Sequence, residues 1–217
     1  MTLRLGAYEP PPGRPLRVHV AAGAGLRALV VADLLRRVAE RRRHRVLLTV
    51  PPETARAGRD WTDYNIRPFE TRDAGVHDLL IASEEDGLEG HGLVVPRETG
   101  DPGPAADLLY ARLAILEVPY GEPLHLDADR LQHAATRLDE WRGQVARWAA
   151  APGRPMDRAY AVEAEDALAA DLDAPAALAV LDRLAADPGV EPGAKTETFI
   201  HLDLLLGLNL VADIGRA

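Results

Sequence analysis

The chain has 217 residues, of which 47% are hydrophobic, and a formal net charge of −9 at pH 7. It contains no cysteine, which excludes disulfides, thiolate zinc sites and thiol nucleophiles. No apolar run reaches membrane-spanning length, and the amino-terminal stretch lacks the apolar core of a signal peptide. We therefore expect a cytoplasmic globular protein that has no membrane partner.

The charges are distributed unevenly along the chain. Residues 1–60 carry 12 arginines against 5 acidic residues, whereas residues 61–217 carry 13 basic residues against 29 acidic ones. A cluster of basic side chains at a helix end could meet phosphate groups, but a solvated helix terminus has the same composition. The acidic remainder argues against general nucleic-acid binding. The basic cluster consists of Arg36, Arg37, Arg41, Arg42, Arg43 and Arg45.

Residues 16–40 carry the pattern of a buried strand, a tight loop and an amphipathic helix. The strand is Leu16–Val20, and the helix starts at Leu26 with a broad apolar stripe. The loop between them has no side chain larger than a methyl group, so its backbone can approach a ligand closely and the helix N-terminus can receive an anion. Many α/β domains open in this way without a ligand, and that alternative stays open.

Further short apolar runs predict strands at residues 45–50, 76–82 and 92–96, and a helix at residues 105–117. Residues 1–15 are proline-rich and predict a loosely held arm, while residues 53–73 predict either a helix-and-loop excursion or a lid. Strands that alternate with helices and feed glycine loops indicate an α/β fold with a parallel sheet. Its site is expected at the carboxyl ends of the strands.

After residue 118 every segment reads as helix. Apolar residues at helical spacing and capping residues predict helices at 127–151, 156–172, 175–186 and 194–208, and their short connections indicate a bundle. The seven histidines contain no pair spaced i,i+3 or i,i+4, so the sequence predicts no helical metal site.

Five segments, in order, resemble the cysteinyl-tRNA synthetase family of class I aminoacyl-tRNA synthetases. Residues 30–50 (VVADLLRRVAERRRHRVLLTV) are similar to the family's V-x-x-D-x-L-R-R-Y-L helix and the strand after it, and residues 65–74 (NIRPFETRDA) to its L-x-x-x-P-x-x-x-P-R-A-T segment. Residues 120–141, 167–185 and 198–210 are similar to the family's helical bundle. The resemblance implies a reduced Rossmann-like, nucleotide-binding domain of class I synthetase type at 1–119 and an all-α bundle at 120–217.

The chain departs from that family at each functional motif. The HIGH signature falls on residues 22–25, so both of its histidines are missing, and residues 96–101 (PRETGD) stand in place of the KMSKS loop with Arg97 as the only cation. The cysteines that hold the family's zinc are absent. The insertion within the catalytic domain is nearly all deleted between about Asp73 and Val76, and we expect no anticodon-reading extension after Leu210.

These departures imply a truncated, catalytically degenerate paralogue, a pseudo-synthetase that acts as a binding or scaffold subunit. Class I activation depends on preorganised cations and histidines that stabilise charge on the transferring phosphate, and all of them are missing. The alternative is an ATP-dependent ligase with a remodelled site that joins an amino acid to an amine or tRNA, as the mycothiol-pathway ligase of this family joins an amino acid to an amine. No metal is expected, and ATP or an adenylate is the only cofactor that the resemblance implies.

Parallel-sheet geometry and the family's adenylate position predict where a residual ligand would sit. No catalytic residue is assigned. Binding to tRNA is expected to be weak or absent, and a protein partner or self-association is expected instead, because the basic excess is confined to residues 1–60. The candidate binding residues are Ala21, Ala22, Gly23, Ala24, Gly25 and Arg27, with Ser83, Glu84, Arg97, Glu98 and Thr99 opposite.

Overall fold

The computed structural model describes residues 2–56, 61–84, 90–100 and 107–216. Within them five strands form one parallel sheet, which confirms the predicted α/β class and is consistent with a Rossmann-like arrangement. The strands are β1 (Leu16–Val20), β2 (Val46–Val50), β3 (Glu70–Thr71), β4 (Leu79–Ala82) and β5 (Gly92–Val94). Their order in the sheet is β3-β2-β1-β4-β5, which places β1 at the centre.

The helices of the described residues are α1 (Leu26–Arg41), α2 (Pro52–Arg56), α3 (Leu109–Leu116), α4 (Ala128–Trp148), α5 (Arg158–Ala169), α6 (Ala174–Ala186) and α7 (Pro192–Leu206), with a 3₁₀ helix at Trp61–Tyr64. Helix α1 lies against β1, β2 and β4, and it also contacts α5 and α7. The four predicted carboxyl-terminal helices are therefore present and pack on one another, and α5 and α7 also contact α1.

Helix ends in the second half of the chain follow the capping residues. The side chain of Asp127 accepts from the backbone N–H of Arg130 at 2.8 Å, and Asp173 caps α6 in the same way. At the end of α7, Gly207 adopts a left-handed conformation (φ 69°) that favours glycine. The carboxylate of Asp203 then accepts from the backbone N–H groups of Leu208 and Leu210, at 2.7 and 2.9 Å.

The structure adds to or departs from the expected local structure at three places. Strand β3 was not predicted, because two exposed residues carry no hydrophobic pattern. Helix α3 begins at Leu109, and the predicted start at Ala105 lies outside the described residues. The amino-terminal arm is not loosely held over residues 3–5: Leu3 and Leu5 are buried, and the backbone N–H of Arg4 donates to the Ala169 carbonyl at 2.9 Å.

Four arginines of the basic cluster pair with acidic side chains of the chain, while Arg41, Arg43 and Arg45 are exposed to solvent. Arg36 and Arg37 donate to the fully buried carboxylate of Asp33, at 2.7 and 2.6 Å. Arg41 pairs with Glu165 at 2.8 Å. The same distance separates the charged groups of Arg42 and Asp166. Opposite charges of the two halves of the sequence thus meet between α1 and α5.

The carboxyl-terminal leucine-rich segment packs into the hydrophobic core. Phe199, Leu202, Leu205, Leu206, Leu208 and Leu210 are all buried, whereas Leu204 is 66% exposed. The apolar character of this segment is therefore accounted for within the chain. Among the described residues, no helix combines the length and the apolar composition needed to cross a membrane.

Candidate functional site

The carboxyl ends of the parallel strands meet at one edge of the sheet, as predicted. A cavity of about 310 Å³ at this edge is lined by the loop after β1 and by the segment after β5. The structure thus brings together Gly23, Ala24 and Gly25 with Arg97 and Glu98. Further lining comes from Leu26, Glu53, Thr54 and Trp61.

A carboxylate of the chain itself occupies the N-terminus of α1. Glu98 Oε1 accepts from the backbone N–H of Leu26 at 2.9 Å, and its Oε2 accepts from the backbone N–H of Arg27 at 3.1 Å. These N–H groups have no partner within the helix and carry the positive end of its dipole. The position predicted to receive a ligand anion is therefore taken by Glu98.

Gly25 leaves the room that this carboxylate needs. A Cβ atom built on Gly25 would lie 2.7 Å from Glu98 Oε1 and 2.9 Å from Arg97 Cγ, both closer than such atoms approach in proteins. Its backbone is extended, with φ −77°, so space rather than backbone conformation explains the glycine. The small residues of this loop thus accommodate Glu98, where the sequence suggested a ligand.

Arg27 is fully buried and binds backbone rather than lining the cavity. Its guanidinium donates to the carbonyl of Pro119 at 2.7 Å, to that of Pro96 at 3.4 Å and to that of Glu122. Burial lowers the pKa of Arg27, and the nearby carboxylates of Glu98 and Glu122 oppose this. The side chain clamps the segment before α4 to the start of α1.

Of the predicted site residues opposite the loop after β1, only Arg97 and Glu98 line this cavity. Arg97 is exposed and donates to the Gly23 carbonyl at 3.5 Å. Thr99 is held by backbone hydrogen bonds to Leu124 (3.0 Å) and Leu126 (2.8 Å). Ser83 and Glu84 follow β4, and neither lines the cavities at this edge; Ala21 and Ala22 line a second cavity.

That second cavity, of about 380 Å³, lies at the same edge, and its histidines were not among the predicted site residues. Two histidines line it, His19 from β1 and His77 from the residues before β4, with ring centroids 6.1 Å apart. Burial is the main cause of a lowered pKa at His19, and His77 adds to it. Glu53 and Asp73 complete its polar lining. Only the adjacency of β1 and β4 brings these histidines together, so spacing in the sequence could not reveal the pair.

The residues at this edge do not fit the groups that the synthetase resemblance implies. Among the described residues, no three histidine or acidic side chains are arranged to hold a metal ion, and the chain has no cysteine for zinc. The first N–H groups of α1, the ordinary phosphate donors of such a fold, are taken by Glu98.

No model of a protein family matches the chain. Curated relatives are named L-cysteine:1D-myo-inositol 2-amino-2-deoxy-alpha-D-glucopyranoside ligase. The protein of Xylanimonas cellulosilytica is 43% identical over 105 residues, which cover 48% of this chain and 24% of the relative. The protein of Acidothermus cellulolyticus is 38% identical over 105 residues, and that of Streptomyces coelicolor is 40% identical over 103 residues. These matches cover 25% and 24% of the two relatives. The match spans about a quarter of these relatives, and the chain is thus homologous, over about half of its own length, to ligases of this name.

Proposed function

We propose that this chain is a cysteinyl-tRNA synthetase-like protein that does not form adenylates and acts as a binding or scaffold subunit. One observation carries the proposal: the Glu98 carboxylate accepts from the first two N–H groups of α1. The same position in a nucleotide-binding α/β domain receives a phosphate.

The negative charge of Glu98 at this position opposes adenylate formation. Adenylate formation needs donors and cations fixed where negative charge develops on the phosphate, and losing one such donor commonly costs about 3–4 kcal/mol in the barrier. Here a negative side chain already occupies the donors, so a phosphate would have to displace it or tolerate its repulsion. Arg27 offers no compensation, because its guanidinium is enclosed by backbone carbonyls.

Weak tRNA binding and reliance on a protein partner or a second copy belong to the same proposal. Affinity for a nucleic-acid backbone comes mainly from cations that neutralise phosphates. Arg36, Arg37, Arg41 and Arg42 instead have acidic partners on α1 and α5. This internal pairing supports the proposal that the basic cluster is no tRNA surface.

Pyrophosphate exchange and nucleotide titration of the full chain test the proposal. We expect no ATP-dependent exchange with any amino acid, and weak binding of ATP, AMP and an aminoacyl-sulfamoyl adenosine. In Glu98→Ala, which frees the α1 donors, ATP should bind at least about tenfold more tightly. Exchange by the wild-type chain, or equal ATP affinity of both proteins, would overturn the proposal.

A second candidate is an ATP-dependent ligase that joins an amino acid to an amine. The observation that favours it is the identity of about 40% to curated ligases over half of the chain. It requires Glu98 to leave the α1 N-terminus when ATP binds. Release of AMP that depends on both an amino acid and an amine distinguishes this candidate from the first.

A further inference from the structure

The loop that carries Glu98 is attached to the segment that leads into α4. The backbone N–H of Thr99 donates to the Leu124 carbonyl at 3.0 Å, and the Thr99 carbonyl accepts from the backbone N–H of Leu126 at 2.8 Å. The hydroxyl of Thr99 adds a contact of 3.3 Å to the same Leu124 carbonyl. Helix α4 starts at Ala128, shortly after Leu126. The residue next to Glu98 is therefore bridged through its backbone to the chain just before α4.

Gly100 lets the two segments approach this closely. Its φ of 92° lies in the region that favours glycine. A Cβ atom built on Gly100 would overlap the Leu126 carbonyl oxygen and lie 2.9 Å from Cε1 of His125. Because the carbonyl is backbone, it cannot turn aside as the end of a long side chain can. Any other residue at this position would push the loop away from residues 124–126.

The buried guanidinium of Arg27 joins the same two segments on the other side of Glu98. It donates to the Pro96 carbonyl at 3.4 Å, where the loop begins, and to the carbonyls of Pro119 and Glu122 before α4. The loop is thus attached to the segment before α4 both ahead of Glu98 and after it.

We propose that residues 96–100 and 119–126 act as one latch that holds Glu98 on the N-terminus of α1, with Thr99 and Gly100 as its positioning residues. A shift of the segment before α4 would carry the loop with it, because the two share backbone hydrogen bonds, and would withdraw the carboxylate from the α1 N–H groups. Residues 119–126 do not line the cavity at the α1 N-terminus, so the latch controls this position from outside it. The inference rests on the proposed function and names how the same position is regulated.

ATP titration of the full chain tests the latch with a variant that keeps Glu98. Gly100→Ala should bind ATP at least about tenfold more tightly than the wild type, because the displaced loop takes the carboxylate off α1. Adding Gly100→Ala to Glu98→Ala should bring no further gain, since the first change acts through Glu98. Gly90→Ala is the matched control. Gly90 has a similar φ of 88° but nothing within 4 Å of a built Cβ atom, so its variant should keep the wild-type affinity.

Three results would overturn the latch: a wild-type ATP affinity of Gly100→Ala while Glu98→Ala gains, an equal gain in Gly90→Ala, or gains of Gly100→Ala and Glu98→Ala that simply add. If Gly100→Ala does not keep the native circular dichroism, Thr99→Ala replaces it. That change removes only the hydroxyl contact to Leu124 and should tighten ATP binding about threefold. An unchanged affinity of Thr99→Ala would then count against the latch.

Unfolding supplies a measurement that needs no nucleotide. In the Gly100→Ala background, Glu98→Ala should lower the free energy of unfolding by less than about half of its effect in the wild type, because the carboxylate no longer caps α1. An undiminished effect would mean that Glu98 stays on α1 without the latch. If the effect shrinks but Glu98→Ala does not raise the affinity for ATP, the latch holds and the proposed function is wrong.

Discussion

The guanidinium of Arg112 donates through Nη2 to Oδ2 of Asp33 at 3.0 Å, and both side chains are fully buried. Arg112 also donates through Nε to the Leu206 carbonyl at 2.7 Å. The guanidinium of Arg112, on α3, thus links α1 to the end of α7. Burial opposes ionisation of Asp33, but Arg112 and its two neighbouring arginines outweigh this and hold its pKa below the usual range.

We expect Asp33→Asn to lower the free energy of unfolding by about 3–5 kcal/mol, because the change leaves buried guanidinium charge without its counterion. Urea denaturation followed by circular dichroism measures the difference. The exposed pair Arg183–Glu163, with side chains 55% and 54% exposed, supplies the control. Glu163→Gln should cost less than about 1 kcal/mol. Equal losses in both variants would contradict a central role for Asp33.

The ion pair between Arg17 and Asp78 predicts a stability that depends on acid pH. Arg17 donates to Asp78 through Nε at 3.0 Å and through Nη2 at 2.5 Å, and this hydrogen bonding lowers the pKa of Asp78 below its ordinary value of 3.8, against the effect of burial. A carboxylate of lowered pKa stabilises the folded chain above its unfolded pKa, and the contribution is lost as pH falls through the folded value.

The comparison of wild type with Asp78→Asn isolates that contribution. The wild type should be the more stable protein at about pH 6, and the difference should shrink once the pH falls below about 4. Urea midpoints at several pH values measure it. A difference that stays constant down to about pH 3 would show that the charge of Asp78 plays no part.

The sheet was predictable where burial leaves a pattern. β1 is an apolar run that ends in a glycine loop, and its bounds were predicted correctly because a central parallel strand is buried on both faces. The two-residue strand β3 has exposed side chains and makes only backbone hydrogen bonds, so its sequence carries no such signal. Helical periodicity within α1 cannot show that Asp33 is buried against Arg112 of α3.

The candidate site was predictable to the same degree. Parallel strands bring their following loops to one edge, which is why Gly25 and Glu98 were expected near each other. The anion that occupies the α1 N-terminus was not predictable. A glycine loop before a helix has the same sequence whether the helix receives a ligand's phosphate or a carboxylate of the chain itself. His19 and His77 meet only through strand order, which the sequence does not state.

The contact between Gly25 and Glu98 predicts non-additive stabilities. Glu98→Ala should cost about 1 kcal/mol, the usual value of a helix N-terminal cap. Gly25→Ala should displace the same carboxylate and cost a similar amount, so the double variant should be little worse than either single one. Urea denaturation of the four proteins measures the coupling. Costs that simply add would mean that the methyl group and the carboxylate coexist.

Arg27 is expected to stabilise the fold through geometry as well as charge. Its planar guanidinium donates to the carbonyls of Pro119 and Glu122 at once, and Arg27→Met should remove both donors and leave a cavity where the buried guanidinium was. We expect a loss of about 2 kcal/mol or more in the free energy of unfolding. Arg27→Lys should restore little of it, because a single ammonium on a flexible stem cannot match the fork of two donors.

The exposed Arg97 provides the matched control for both variants of Arg27. It makes one hydrogen bond of 3.5 Å to the Gly23 carbonyl at the same edge of the sheet, so Arg97→Met should change the unfolding free energy by no more than about 0.5 kcal/mol. Urea denaturation of the four proteins gives the comparison. If Arg27→Lys is as stable as the wild type, a positive charge alone suffices at this position, and the clamp on the segment before α4 does not depend on the guanidinium.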